Sequence, residues 1–306
     1  MTSAVGWLQR HGFGAEGWNL VVGCSKRSAG CMHCYAERMA HRWGWTRFPW
    51  TESHERENVT LHPERLKLPG TWTEPRMVFV NVFSDLYHER VPHEFLAQAY
   101  QVMRDTPQHI YIILTKRPEN IWIDGRWPKN IWLGVTVEDQ RAKERLPILA
   151  KYPVAVKLVS CEPLLEPLGD LELARWGIGW GIAGGESGPK ARPMQMAWAR
   201  DVRDQCVKAG AAFYFKQSGG LQPGTGDQLI EEDGSRWFWK QWPGQRDAPV
   251  QVYDPPKNGG IVPSETADQA PNHLTQMSIF DLLSDGPGDV ADLGGYLDRV
   301  AHGPRT

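Results

Sequence analysis

The chain has 306 residues, with 34 Lys and Arg against 36 Asp and Glu, and its formal net charge is −2. A hydrophobic fraction of 41% excludes wholesale disorder. This charge excludes binding to nucleic acid through bulk charge, so such binding would need a local patch. The sequence holds no apolar run of about 18 residues for a spanning helix. Its first residues lack the layout of an export signal, and we expect a cytoplasmic protein.

Seven short β-rich runs occur in chain order, and most are separated by helical patterns. The predicted strands are 19–22, 77–82, 109–114, 131–137, 154–160, 177–183 and 211–216. Runs such as VFVNV and IYIIL are nearly all apolar, which is typical of strands buried on both faces. Residues 93–105, 138–152 and 196–210 are apolar at helical spacing. The alternation predicts an α/β fold with a parallel barrel, complete or partial.

Three of the five cysteines lie within eleven residues, in a C-x6-C-x2-C spacing formed by Cys24, Cys31 and Cys34. Soft sulfur ligands favour zinc or an iron–sulfur cluster. A zinc site would need His33 or a distant residue as its fourth ligand, whereas three thiolates suit a cluster with one open iron. Free thiols are the third alternative. Cys161 and Cys206 are isolated in the sequence.

Polar residues follow nearly every predicted strand. In parallel barrels the chemistry lies at these carboxyl ends, so we expect an active site there. The residues are Cys24, Asn81, Ser84, Asp85, Tyr87, His88, Thr115, Lys116, Arg117, Thr136, Glu138, Asp139, Ser160, Cys161, Glu162, Gly184, Gly185, Glu186, Lys216 and Gln217.

The composition divides the chain into three parts. Residues 1–219 form the predicted barrel, and residues 220–253 form a Trp-rich appendage packed on it. Residues 254–306 are rich in Pro, Gly and polar residues without periodicity, which predicts a flexible tail.

Several phrases keep a characteristic order between residues 17 and 218. They are GWNLVVGCSKRSAGCMHCYAERMA, VNVFSDLYHERVP, LTKRPE, WLGVTVEDQ, VSCEPLL, GGESGPKARPM and FYFKQ. Together they resemble a phage-associated family of three-cysteine proteins of uncharacterised function. The cysteine triad and the LTK segment also resemble radical S-adenosylmethionine enzymes, in particular spore-photoproduct-lyase-like members. The usual superfamily spacing is C-x3-C-x2-C, so the loop in this chain is three residues longer.

The superfamily resemblance implies a 4Fe–4S cluster on Cys24, Cys31 and Cys34, with S-adenosylmethionine bound at the open iron. An electron from a donor such as flavodoxin or ferredoxin would then yield a 5′-deoxyadenosyl radical that abstracts hydrogen. Further cofactor contacts are expected from Ser84, Asp85, Lys116, Thr136, Glu138, Gly184, Gly185 and Glu186. Expected catalytic residues are Cys161, Glu162 and Asp85.

Each of these roles has a structural alternative. Asp85 and Glu162 could instead form salt bridges at the rim with Arg90, Lys116 or Arg117. The two glycines could form a tight turn, and Cys161 could be a buried apolar residue.

The tail carries a short motif, Gln276, Met277, Ser278, Ile279 and Phe280, that resembles the peptide with which bacterial proteins bind the DNA polymerase sliding clamp. A short peptide on a flexible tether can insert apolar side chains into a preformed groove. The alternative is an amphipathic turn that packs on the barrel. The motif implies DNA as a partner, and basic and aromatic residues would then contact phosphates and bases. They are Arg42, Trp43, Trp45, Arg47, Trp50, Arg56, Arg65 and Lys67.

The predicted function is therefore that of a radical S-adenosylmethionine-type lyase, oxidoreductase or base-modifying enzyme that acts on a nucleic-acid base in DNA repair or modification. One alternative is a zinc-stabilised, non-catalytic DNA-associated adaptor. Another is a radical enzyme that acts on tRNA or a small metabolite.

Overall fold

The computed structural model describes residues 14–244 and 248–252. The strands of this part are β1 (Gly14–Trp18), β2 (Val21–Val22), β3 (Thr60–Leu61), β4 (Arg76–Val80), β5 (Ile110–Thr115), β6 (Ile131–Thr136), β7 (Val156–Cys161), β8 (Ile178–Gly184), β9 (Ala212–Gln217), β10 (Leu229–Ile230), β11 (Arg236–Phe238) and β12 (Val250–Val252). Its α-helices are α1 (Tyr35–Arg42), α2 (Glu55–Asn58), α3 (His93–Asp105), α4 (Arg145–Ala150) and α5 (Met196–Ala209).

Seven parallel strands form the main sheet in the order β1-β4-β5-β6-β7-β8-β9. Each strand therefore lies beside the next one of this sheet along the chain, as expected when helices and loops return the chain to the same edge. Within the described residues β1 and β9 do not pair with each other, so the barrel is partial. The predicted α/β fold with a parallel barrel is confirmed in this open form.

The first predicted strand is wrong in position. Residues 19–22 were expected to enter the main sheet, but β1 does so instead, with Gly14 beside Arg76 and Trp18 beside Val80. The apolar pair Val21–Val22 forms a short antiparallel ribbon with Thr60–Leu61. The sequence of β1, GAEGW, has little intrinsic strand preference. Its conformation is thus set by pairing with β4.

Side chains on the two faces of the sheet form separate cores, because successive strand residues point to opposite faces. The outer face packs against the helices and includes Val78, Tyr111, Val135, Val159, Cys161 and Phe213. The concave face is filled by large aromatic residues, among them Trp132, Trp180, Tyr214 and Trp242. Gly134 has no room for a side chain, since a Cβ there would lie 2.5 Å from Leu158 Cγ. The concave face is therefore filled at one end of the strands, and space remains at their carboxyl ends.

Residues 220–244 continue from β9 and include two strands of a small antiparallel sheet, β10-β11-β12. The main-chain N–H of Phe215 donates to Trp239 O at 2.8 Å, and that of Gln241 donates to Phe213 O at 3.0 Å. This segment thereby covers the free edge of β9. Buried Trp242 packs on Trp180, with ring centroids 4.7 Å apart.

The clamp-like motif, Gln276, Met277, Ser278, Ile279 and Phe280, lies outside the described residues, as does the predicted tail 254–306. None of the helices described has the length and apolar character that crossing a bilayer requires.

Candidate active site

The carboxyl ends of the parallel strands open into a pocket of about 260 Å³. Its wall carries the three clustered cysteines and most of the polar residues that the sequence placed at strand ends. They are Cys24, Cys31, Cys34, Ser84, Asp85, Lys116, Arg117, Thr136, Ser160, Glu162, Gly185, Glu186, Lys216 and Gln217. Residues from six successive strand ends thus meet in one place, as in other barrels of this kind.

The cysteine loop, residues 24–34, lies between β2 and α1. The loop starts after Gly23, which has φ +88°. Gly23 packs so closely on the segment around Asn58 that a Cβ on it would lie 2.1 Å from Asn58 O. Only glycine fits such a position without strain. A short 3-10 helix, Ala29–Cys31, then turns the chain, and α1 begins directly after Cys34. This path brings three thiols to one pocket wall.

The thiols have the donor chemistry of a soft-metal site. Burial raises the pKa of Cys24 to about 12, although the Arg117 guanidinium opposes the rise. Burial also raises the pKa of Cys34. Among the described residues, no three His, Cys, Asp or Glu side chains are grouped as metal ligands. A metal would therefore have to draw these thiols together and displace their protons.

Arg117 is 2% exposed and joins the cysteine loop to the ends of β4 and β5. Its Nη1 donates to Cys24 Sγ at 3.6 Å, and its Nη2 donates to Ser25 O at 2.8 Å. Its Nε donates to Glu89 Oε2 at 2.9 Å, and Asp85 Oδ2 lies 3.6 Å from Nη1. A planar group with five donors suits such a position.

Asp85 holds the end of β5. Thr115 Oγ1 donates to its Oδ1 at 2.8 Å, and the main-chain N–H of Lys116 donates to its Oδ2 at 3.0 Å. The main-chain N–H of Tyr87 also donates to Oδ1, at 3.0 Å. With Arg117 nearby, the carboxylate has few lone pairs left for a ligand. Asp85 thus joins the ends of two neighbouring strands, and its expected catalytic and cofactor roles stay predictions.

Lys116 and Glu138 form a buried ion pair, with Nζ 3.4 Å from Glu138 Oε2. Arg145 Nη1 donates to the same oxygen at 2.8 Å, and Ser28 Oγ donates to Oε1. Burial raises the pKa of Glu138, but the charges of Lys116 and Arg145 lower this pKa by more than burial raises it. The net shift of the pKa is therefore downward. Glu138 is not part of the pocket wall and braces the cysteine loop from behind. By contrast, Lys116 Nζ is buried and makes no hydrogen bond in the part described.

Glu186 connects the end of β8 to the cysteine loop. Its Oε2 is 3.0 Å from His33 Nδ1 and accepts from Arg192 Nε at 2.9 Å. Arg192 Nη2 also donates to Ala29 O at 3.0 Å. These bonds satisfy the carboxylate, so Glu186 fixes the ring of His33 and anchors the loop.

Glu162 and Lys216 form a charged pair on the pocket wall, where β7 and β9 end. Lys216 Nζ lies 3.1 Å from Glu162 Oε1, and Ser160 Oγ donates to Oε2 at 3.2 Å. Gly184 makes room for this carboxylate, since a Cβ there would lie 2.8 Å from Glu162 Oε1. The pair presents one anion and one cation to the pocket.

Cys161 does not reach the pocket. It is fully buried on the outer face of the sheet, in the same core as Cys206. Strand alternation explains this, because Ser160 and Glu162 point to the pocket and the residue between them must point away. Cys161 is therefore not retained as a catalytic residue.

Of the remaining residues expected to contact a cofactor, three lie on the pocket wall and Gly184 does not. Ser84 and Thr136 lie on the wall, and Ser84 Oγ already donates to Gly23 O. Gly185 lies on the wall at a tight approach of two chain segments, because a Cβ would lie 2.1 Å from Ser218 O. The close packing at Gly185 leaves no room for a side chain at this position.

A family model described as Protein of unknown function (DUF5131) matches residues 10–271. The chain belongs to the DUF5131 family. No curated protein matches the chain, and no solved structure matches it. Membership agrees with the expected uncharacterised family, and the family description assigns no activity.

Sequence reasoning on this DUF5131 chain missed several residues that organise the site. Arg117 was expected at the strand ends and as a salt-bridge partner but not as a contact of the cysteine loop, and Arg192 was not singled out. The buried pair of Ser25 and His88, with Oγ 2.9 Å from Nε2, was also missed. The contacts of Ser25 with His88 and of Arg192 with Ala29 join residues 63 and 163 positions apart, so local patterns carry no signal for them.

Proposed function

We propose that the protein is an iron–sulfur, S-adenosylmethionine-dependent radical enzyme that acts on a nucleic-acid base, in DNA repair or modification. The observation that supports this most is the wall of the pocket. The same wall, at the carboxyl ends of parallel strands, carries three thiols from one loop and the buried Lys116 Nζ. Within the described residues this ammonium pairs with Glu138 at 3.4 Å but makes no hydrogen bond. Soft ligands for a cluster and a cation for a carboxylate are thus available side by side.

The chain offers a separate group for each expected cofactor. Cys24, Cys31 and Cys34 would hold a 4Fe–4S cluster as thiolates, and Lys116 would bind the carboxylate of S-adenosylmethionine. When bound, the two cofactors supply one-electron chemistry that ends in hydrogen-atom abstraction. Thr136 and Gly185 lie on the same wall and remain proposed cofactor contacts.

The rest of the wall suits a planar, partly polar substrate. Phe79, Leu114 and Ile182 contribute an apolar surface that excludes water. Glu162 and Lys216 present an acceptor and a donor that match the polar edge of a base. A base in duplex DNA would have to leave its stack to reach this pocket.

The expected partners remain part of the proposal. They are DNA, an electron donor such as flavodoxin or ferredoxin, and the sliding clamp through the motif at 276–280. A cytoplasmic location fits an enzyme with these partners.

Anaerobic purification with measurement of iron, sulfide and zinc tests the proposal. We expect iron and sulfide, reductive cleavage of S-adenosylmethionine, and loss of both in Cys31→Ala. Cys206→Ala is the matched control, because it removes a thiol from the core and leaves the pocket intact. Iron content unchanged in Cys31→Ala would overturn the proposal. Assays with damaged DNA, intact DNA and tRNA then identify the substrate, and turnover of tRNA alone would favour the alternative substrate class.

One observation favours a second function, a zinc-stabilised adaptor that binds DNA without catalysis. His33 lies on the pocket wall within the cysteine loop, and Glu186 fixes its Nδ1, which leaves Nε2 available. Zinc-binding histidines are commonly oriented by a carboxylate in this way. Cys24, Cys31, Cys34 and His33 would then complete four ligands.

His33→Ala separates the two functions. A zinc site would lose most of its metal, whereas a cluster held by three cysteines would keep its iron. One zinc per chain, lost in His33→Ala, identifies the adaptor.

A further inference from the structure

An aromatic cluster lies exposed beside the pocket. Trp43 and Trp45 are each 45% exposed, and their ring centroids are 4.7 Å apart. Both rings pack on Phe83, at 5.3 and 5.2 Å. Two half-exposed tryptophans that pack on a buried phenylalanine together form an apolar patch on the protein surface. Such a patch commonly marks a binding site.

The cluster is continuous with the pocket wall. Tyr35 belongs to that wall, is 41% exposed, and packs edge-on against Phe83 at 6.5 Å. Its hydroxyl donates to Val82 O, which fixes the ring. The exposed tryptophans and the pocket wall are thus linked through one shared ring, Phe83.

Three arginines lie close to the aromatic residues along the chain. Arg38 and Arg42 lie one and two turns after Tyr35 on the same face of α1, and Arg47 follows Trp45 by two residues. All three arginines are exposed and form no ion pair within the described residues. Arg38 reaches the opposite rim, because a Cβ on Gly188 would lie 2.0 Å from its Nη1.

The acidic residue of α1 does not offset these charges. The Glu37 carboxylate accepts from the main-chain N–H of Trp50 at 2.8 Å and pairs with Lys26 at 3.3 Å. The exposed acidic side chains Glu52 and Glu57 belong to the two short helices that follow, the 3-10 helix Glu52–His54 and α2. The Trp43 surface, formed by Tyr35, Arg38, Arg42, Trp43, Trp45 and Arg47, is therefore aromatic and positive.

The structure also separates this surface from residues with structural roles. Trp50 is 3% exposed and donates its indole N–H to Thr46. Arg65 donates to Asn19 O at 2.8 Å and so fixes the β1–β2 turn. Trp50 therefore belongs to the pocket wall and not to the exposed cluster, and Arg65 is held by the main chain of Asn19.

We infer that the Trp43 surface binds a single-stranded stretch of nucleic acid and leads one of its bases to the pocket. Unpaired bases stack on exposed aromatic rings, and neighbouring arginines neutralise the phosphates between them. A protein partner would use the rings equally well, but three nearby arginines that form no ion pair in the described part of the chain match a polyanion better. The inference rests on the proposed function for the base that enters the pocket, whereas binding at the surface requires no cofactor.

Fluorescence anisotropy with the full chain and a labelled oligothymidylate of about 12 nucleotides tests the inference. We expect Trp43→Ala with Trp45→Ala to weaken binding about tenfold or more, since stacking contributes about 1–3 kcal/mol per base. Trp43→Phe with Trp45→Phe retains stacking and should bind nearly as wild type. Arg42→Glu with Arg47→Glu should weaken binding and flatten its salt dependence.

Arg175→Ala with Trp176→Ala is the matched control. It removes a cation–π pair, 4.4 Å apart, that precedes β8 at the other end of the strands, and its affinity should not change. Equal thermal unfolding of all variants shows that the fold is intact.

Three outcomes would overturn the inference. They are absence of wild-type binding, unchanged affinity in Trp43→Ala with Trp45→Ala, and a role for the two tryptophans only in self-association, measured by sedimentation. Cys31→Ala separates the inference from the proposed function. Loss of iron with unchanged, tryptophan-dependent oligonucleotide binding supports both, whereas a wild-type protein that binds the oligonucleotide but assembles no cluster retains only the inference.

Discussion

Arg117 Nη1 donates to Cys24 Sγ at 3.6 Å, although the two residues are 93 positions apart. The same guanidinium pairs with Asp85 and Glu89. Burial disfavours the Cys24 thiolate, whereas the guanidinium favours it. Arg117 therefore connects the cysteine loop to the sheet and determines the electrostatic environment of one candidate ligand.

Arg117→Gln should lower the free energy of unfolding by about 3–5 kcal/mol, because it leaves the buried carboxylate of Asp85 without its cation. Arg117→Lys should recover only part of this loss, since one ammonium cannot donate to all four partners. Urea unfolding of the metal-free protein measures both. The control is Arg27→Gln, which breaks the half-exposed pair with Glu119 and should cost about 0–1 kcal/mol. Equal losses in Arg117→Gln and Arg27→Gln would contradict this account.

Glu138 should make stability depend on pH. Its pKa in the folded protein is lowered from the ordinary value of 4.5, so its ionised form stabilises the fold above that pH. The contribution is lost as the pH falls through the lowered pKa. Glu138→Gln should therefore destabilise the protein by about 1–3 kcal/mol at neutral pH, and the difference from wild type should shrink in acid.

Thermal unfolding between neutral and acidic pH measures this difference. Glu119→Gln is the control, because Glu119 is exposed and pairs only at the surface. A gap between Glu138→Gln and wild type that stays constant with pH would show that the charge is not the cause.

The sequence predicted the parallel sheet well because its signal is local. Helix α3 has the predicted bounds, since apolar residues recur along HEFLAQAYQVMRD at helical spacing. The first strand was misplaced because GAEGW is extended only through pairing with β4. Its position depends on contacts about 60 residues away, which no local pattern reports.

The sequence predicted which polar residues gather at the strand ends, but not how they contact one another. The strand ends identified the rim, because parallel strands bring these ends together. The roles of single residues depend on neighbours in space. Asp85 and Glu138, expected as cofactor contacts, accept hydrogen bonds from Thr115 and Arg145, which the sequence did not indicate. The sequence alone could have shown that Cys161 does not face the pocket. Alternation along β7 places Ser160 and Glu162 on one face of the sheet and Cys161 on the other.

Arg192 should restrain the cysteine loop, because its Nη2 donates to both Glu186 and Ala29. Arg192→Ala should increase amide hydrogen exchange within residues 28–32, with little change elsewhere. Mass spectrometry of the metal-free protein detects the change. Arg175→Ala, which breaks an exposed pair with Glu172, is the control and should leave this loop unaffected. Unchanged exchange in Arg192→Ala would assign the loop's order to other contacts, such as Ser28 with Glu138.

Gly181 and Cys206 should show strong coupling in a double-mutant cycle. A Cβ on Gly181 would lie 2.3 Å from Cys206 Sγ but 4.0 Å from its Cβ. Gly181→Ala alone overpacks the core between β8 and α5 and should cost about 1–3 kcal/mol. Cys206→Ala removes the sulfur, so the added methyl group should then fit.

We therefore expect the double variant to be more stable than the sum of the single losses predicts. Urea unfolding of the four proteins gives the coupling free energy, which should be favourable by about 1 kcal/mol or more. The matched comparison is Gly134→Ala with Cys206→Ala, because the Cβ of residue 134 would meet Leu158 and Leu114 instead. That pair should be additive. Additive losses for Gly181→Ala with Cys206→Ala as well would mean that the backbone, and not the sulfur, restricts position 181.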